Sequence, residues 1–128
     1  MSKYGKQIDR DGFPDYPLGS NKRDGFNPSD TGEMNAHQFA ANMWEVFDDA
    51  GNLLLRKHKD YGPTNISLSP GGPLNGLRVR MHDKTARINH LIDSGATPEN
   101  ESLRDSFLDL LNYSAIALMV LDSKWPES

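Results

Sequence analysis

Asp105 and Asp109 stand four residues apart, with Glu101 four before them and Asn112 three after. On a helix this spacing gathers the four side chains on one stripe. Like charges one turn apart repel by about 0.2–0.5 kcal/mol per pair. A solvated face would interleave lysine or arginine at those steps, and Arg104 projects elsewhere. A divalent cation shared by the carboxylates makes the arrangement favourable, and oxygen donors suit Mg²⁺ or Mn²⁺. The stripe therefore reads as a metal site, with Asp105 and Asp109 as the catalytic pair and Glu101 beside them. The plainer alternative is a solvated acidic face helped by the helix N-terminus. That dipole acts over one turn, so it suits Glu101 better than Asp109.

Three other groups could join this chemistry. Glu45 and Asp49 form a second acid pair at the edge of an apolar helical face. Lys57 falls along the middle of that same face. A lysine there either meets an anionic partner, because an unpaired buried charge costs several kcal/mol, or snorkels at the helix end. Arg80, Lys84 and Arg87 follow at i, i+4 and i+7 on the flank of another helix, Lys84 nearest the core side. With two acid pairs and a lysine at one level, the expected chemistry is metal-assisted attack of water on phosphorus. Lys84 takes a catalytic role there, and with Arg87 it holds the leaving pyrophosphate. No side-chain nucleophile competes, since the chain has no cysteine and no serine or threonine stands out beside a base.

The elements that must position these residues are helices. Asn35 with Gln38 three residues on predicts a helix start, and Phe39, Met43, Val46, Phe47, Ala50 and Leu54 carry its apolar face to about Lys59. The glycines and prolines over 60–76 predict a loop without regular structure. A second helix is expected over 74–92, with Leu74, Leu77, Met81, Ile88, Leu91 and Ile92 inward. Thr97, Pro98 and Glu99 predict the cap and first turn of a third helix that runs to Leu121. Its core side is read as Leu103, Phe107, Leu110, Leu111, Ser114, Leu118 and Leu121. Packed up-down-up, these helices place Glu45 and Asp49, Lys84, and Asp105 and Asp109 within about one turn of the same height, at a rise of about 1.5 Å per residue. Residues 1–34 show no periodicity and predict an irregular arm, leaving 35–128 as the helical domain.

At 128 residues with a net charge of −4, the chain suits one domain and argues against binding a nucleic acid polymer or an anionic membrane. Neither a signal peptide nor an apolar run of about 20 residues is visible, so a soluble cytoplasmic protein is the expectation. Residues 115–121 are apolar on nearly all sides, which predicts burial by association.

Three segments in order, K-H-K-D-Y-G at 57–62, K-x-x-R at Lys84 and Arg87, and E-S-x-x-D-x-x-x-D-x-x-N-Y at 101–113, resemble the MazG-like all-α nucleoside triphosphate pyrophosphohydrolases. The likeness is to a phage and bacterial group within them associated with nucleotide modification. It covers about residues 37–121. It implies an all-α bundle completed as a homodimer or homotetramer, acting in the cytosol of a bacterium or an infected host. The implied reaction is Mg²⁺- or Mn²⁺-dependent cleavage of (d)NTP to (d)NMP and pyrophosphate, with a lean toward purine deoxynucleotides such as dGTP. It implies metal ligands at Asp105 and Asp109 and an early acid pair at Glu45 with Asp49 or Asp48. Lys57, Asp60, Tyr61 and Asn112 fall on the substrate side, Tyr61 for base stacking. The spacing of the later acids is one longer than the family's usual motif, and the early pair matches poorly. A non-catalytic nucleotide-binding protein or a helical interaction protein is the competing expectation.

Overall fold

The computed structural model describes residues 34–127, so the expected arm lies, except for Met34, outside the described residues. Those residues are all-helical: α1 (Ala36–Tyr61), α2 (Thr64–Ser67), α3 (Pro73–Ser94) and α4 (Leu103–Leu121). The chain's own contacts divide it into two units, Met1–Asp49 and Ala50–Ser128, and α1 runs from one into the other. No helix among the described residues is long and apolar enough to cross a membrane.

In the first unit α1 begins where the capping pattern places it. Asn35 Oδ1 accepts the Gln38 backbone N–H at 2.7 Å, while the Gln38 side chain donates to Asn42 Oδ1 at 3.0 Å. Ala40 is buried, and the Trp44 ring meets Phe47 at a tilt of 53° with centroids 5.8 Å apart.

The second unit holds a core of Ile66, Leu77 and Ile116, with Leu54, Tyr113, Val120 and Trp125 packed against it. Leu77 meets Ile116 while Lys84, one face further along α3, meets Asp109, so α3 and α4 run in opposite directions. Asn112 bonds to the Ala50 carbonyl, and past the end of α4 the Trp125 ring meets His58 edge-on, so the last turns of α1 are tied both to α4 and to the segment after it. Proline opens α3 at its first position, and Gly95 closes it at φ 68° with its N–H on Leu91 O.

Three expectations are corrected. The segment 60–76 is not wholly irregular. Gly62 turns the chain at φ 69° and a single helical turn, α2, follows Pro63 and buries Ile66. The last helix starts at Leu103 rather than near Pro98, because Ser102 and Asp105 make a reciprocal capping box: Ser102 Oγ accepts Asp105 N–H at 3.0 Å and Asp105 Oδ2 accepts Ser102 N–H at 3.2 Å. Finally, the stripe of α4 read as core is not the buried one. The buried positions are Ser106, Asp109, Asn112 and Ile116, whereas Phe107, Leu118 and Leu121 are 50%, 61% and 63% exposed. Polar groups win the interior here because each has a partner: Ser106 meets Glu101 just ahead of α4, Asp109 meets Lys57 and Lys84, and Asn112 meets the Ala50 carbonyl.

Candidate functional site

Burial of Asp109 requires compensation for its charge, and two helices supply it. Lys57, from α1, donates to Asp109 Oδ1 at 3.1 Å, and Lys84, from α3, meets Oδ2 at 2.9 Å. Lys84 also reaches both carboxylate oxygens of Glu101, at 2.8 and 2.9 Å. Ser106, fully buried one turn into α4, donates its hydroxyl to Glu101 Oε2 at 2.8 Å. Arg87 donates from Nη2 to the Glu101 backbone carbonyl, while its buried Nε has no hydrogen-bond partner and lies 3.9 Å from Glu101 Oε2. The lysine expected to need an anion thus has one, although its side chain stays 46% exposed.

These contacts set the protonation of the cluster. Burial alone would lower the Lys84 ammonium, but its bonds to Glu101 and Asp109 outweigh it and hold the group above the ordinary lysine value. Burial alone would raise Glu101, yet the bonds from Lys84 and Ser106 prevail and hold it below the usual carboxylate range. Asp105 is also lowered, by the side-chain and backbone hydrogen bonds of Ser102.

Asp109 forms one edge of a cleft of about 370 Å³. Lys57 and Arg80 bring positive charge to it, and His58, Tyr61, Tyr113 and Trp125 bring aromatic surface. Arg80 is steadied by neutral acceptors, the Asn65 carbonyl at 3.1 Å and the Ser69 hydroxyl at 3.4 Å, so those bonds do not neutralise its charge. The cleft therefore joins a flat apolar wall to a cationic edge, the two surfaces a nucleoside phosphate presents in reverse.

The structure brings Lys57, Lys84, Arg87, Glu101 and Asp109 into one contact network and sets Tyr61 and Asn112 on the cleft. It engages Asp105 and Asp109 differently: one carboxylate caps its own helix, the other holds two lysines. Asn112 spends its amide donor on Ala50 O at 2.9 Å, tying α4 to α1. Asp60 is exposed and does not line the cleft. Glu45 and Asp49 are exposed on the part of α1 that belongs to the first unit. Sequence reasoning passed over His58, Asn65, Arg80, Ser106 and Tyr113 as site residues. His58 stood inside the K-H-K-D-Y-G segment and Arg80 at the head of the basic row, so two signals were present.

Among the described residues no group of three or more His, Cys, Asp or Glu is placed to hold a metal ion. Comparison with curated proteins and with solved structures gives no match. The sequence model of a family described as nucleotide modification associated domain 1 matches residues 57–121, from the lysine that meets Asp109 to the last residue of α4. That segment is just over half of the 128 residues and carries most of the cleft, and the chain belongs to the nucleotide modification associated domain 1 family.

Proposed function

We propose that this chain is a MazG-like (deoxy)nucleoside triphosphate pyrophosphohydrolase that releases a nucleoside monophosphate and pyrophosphate with Mg²⁺ or Mn²⁺. The observation that carries the reading is the cleft, where aromatic rings and the Lys57, Arg80 and Asp109 side chains face one space. Lys57 and Arg80 bind the phosphates, and Tyr61 offers its ring to the base. Glu101 and Asp109 are the residues that would hold the metal. Mg²⁺ is commonly bound through one or two protein carboxylates and completes its shell with phosphates and water. These two carboxylates already converge on one ammonium, so the donor set fits. The ion would supply charge neutralisation at the phosphates and activation of the attacking water. Lys84, which pairs with both carboxylates, and Arg87, which meets Glu101, would hold the pyrophosphate group.

A second reading, a protein that binds a nucleotide without cleaving it, is favoured by one observation. Asp105 is committed to its helix cap, so the later acid pair contributes one carboxylate to the cluster instead of two. Incubation with a panel of dNTPs and Mn²⁺, followed by chromatography, separates the readings. Monophosphate and pyrophosphate are expected, and Lys57→Met should abolish them while leaving the helical content intact. Unchanged triphosphate with measurable binding would select the second reading.

A further inference from the structure

One wall of the cleft comes from no helix. After α4 the chain reverses at Ser123, whose φ is 58°, with Ser123 N–H on Val120 O at 3.1 Å and Lys124 N–H on Met119 O at 2.7 Å. Trp125 is thereby laid back over the α1–α2 corner. Its indole N–H donates to Pro63 O at 3.2 Å, and its ring meets His58 edge-on with centroids 5.2 Å apart. Ser67 Oγ donates to Glu127 O at 3.0 Å and pins the tail two residues further on. These anchors hold a tryptophan against a cleft that Lys57 and Arg80 also line. Trp125 and Glu127 lie beyond the segment matched by the family, which ends at residue 121, while their partners His58, Pro63 and Ser67 lie within it. The indole N–H is already used, so what Trp125 offers a ligand is its flat face. His58 Nδ1 is buried with no hydrogen-bond partner, and a heterocycle entering beside Trp125 brings donors and acceptors to that corner.

We propose that Trp125, held by the tail, and His58 join Tyr61 in the base-binding subsite of the cleft and take the planar heterocycle of the nucleotide, which makes the C-terminal tail a determinant of ligand choice. This rests on the nucleotide reading above. Stacking on an aromatic side chain is tolerant of base identity, so the subsite selects for a base over its absence first.

Calorimetric titration of the full chain in Mg²⁺ tests it, with the four deoxynucleoside monophosphates, deoxyribose 5-phosphate and pyrophosphate as probes. The wild type should bind a monophosphate about tenfold or more tighter than deoxyribose 5-phosphate. Trp125→Leu, which keeps an apolar side chain but no ring, should lose about that factor for monophosphates and keep its affinity for pyrophosphate. Trp125→Phe should stay within about threefold of wild type. If Trp125→Leu binds monophosphates as wild type does, or loses pyrophosphate in the same proportion, the tail is only structural and the proposal falls. Should Trp125→Leu fail to fold, the wild-type preference for monophosphate over deoxyribose 5-phosphate decides, and equal binding overturns the base subsite alone. A wild type that binds none of the probes overturns the nucleotide reading itself.

Discussion

Lys84 bridges two carboxylates that the sequence placed on one stripe, and that bridge changes what each acid is expected to do. Asp109 is buried between Lys84 and Lys57, so Asp109→Asn removes the charge that both ammoniums face. Read as a repelled member of an acid row, Asp109 should lose its charge at no cost in stability. In the structure the sign reverses: the variant should lose about 1–3 kcal/mol together with orders of magnitude in the proposed pyrophosphohydrolase activity. Asp105→Asn should lose only about 0.5–1 kcal/mol from its cap and keep activity within a few-fold. Thermal melts and turnover of the two variants check this, and equal losses in activity would return Asp105 to the site. Glu101 predicts a pH dependence. Its carboxyl is lowered in the fold, chiefly because hydrogen bonds from Lys84 and Ser106 outweigh the opposing effect of burial. The contribution is then full above the unfolded value of about 4.3 and fades as pH falls through the folded one. Lys84 is raised, so its contribution is full below about 10.4 and fades only as pH rises through its folded value. The gap in Tm between wild type and Glu101→Gln should therefore be constant from about pH 6 to 9 and close below about pH 4. A gap as wide at pH 3 as at pH 7 would contradict the pairing. What was legible at this scale was Lys57, because a lysine on an apolar face demands an anion. What was not legible was which acid answers it.

The helices themselves were readable from capping and periodicity: the start of α1 at Asn35 and the extent of α3 both match the pattern. Two shorter features escaped because their cause is tertiary or local to one pair. The start of α4 depends on Ser102 and Asp105 satisfying each other, and Asp105 was already spoken for as a ligand in the acid stripe. The turn α2 follows a proline and carries one apolar residue, too few for any period to show. Yet Ile66 is 2% exposed and sits at the centre of the core with Leu77 and Ile116. Ile66→Ala should cost about 2–5 kcal/mol, as large-to-small changes in a core do. Because α2 also carries Asn65, whose carbonyl holds Arg80, nucleotide affinity should weaken as well. Denaturant titration and calorimetry on the same variant measure both, and a loss under about 1 kcal/mol would place Ile66 outside the cooperative core.

An apolar stripe reports that a helix face is covered, and does not report by which chain. The stripe of Leu103, Phe107, Leu110, Leu111, Ser114, Leu118 and Leu121 has the spacing of a core face, yet in the single chain Phe107, Leu118 and Leu121 remain at least half exposed. This explains why the inward side of α4 was read the wrong way round: its most regular periodicity belongs to the outer face, while the buried face earns its place through bonded polar groups. A monomer would leave that face in water, at a cost of about 25 cal/mol per Å² of apolar area left uncovered. The expected state is therefore a homodimer or homotetramer, with α4 at the subunit contact. Light scattering at micromolar concentration should return two or four times the 14.3 kDa chain mass. Leu118→Asp places a charge in the middle of the exposed stripe, away from the cleft lining. It should shift the mass to that of one chain while Lys57, Lys84 and Asp109 keep their contacts. If the wild type is already monomeric at that concentration, the stripe is an uncovered surface and its periodicity has another cause. If Leu118→Asp leaves the mass unchanged, the copies meet through a different face. The nucleotide affinity of the monomeric variant then decides whether the cleft works within one chain: affinity equal to wild type means that it does, and a loss greater than about tenfold means that a second copy completes it.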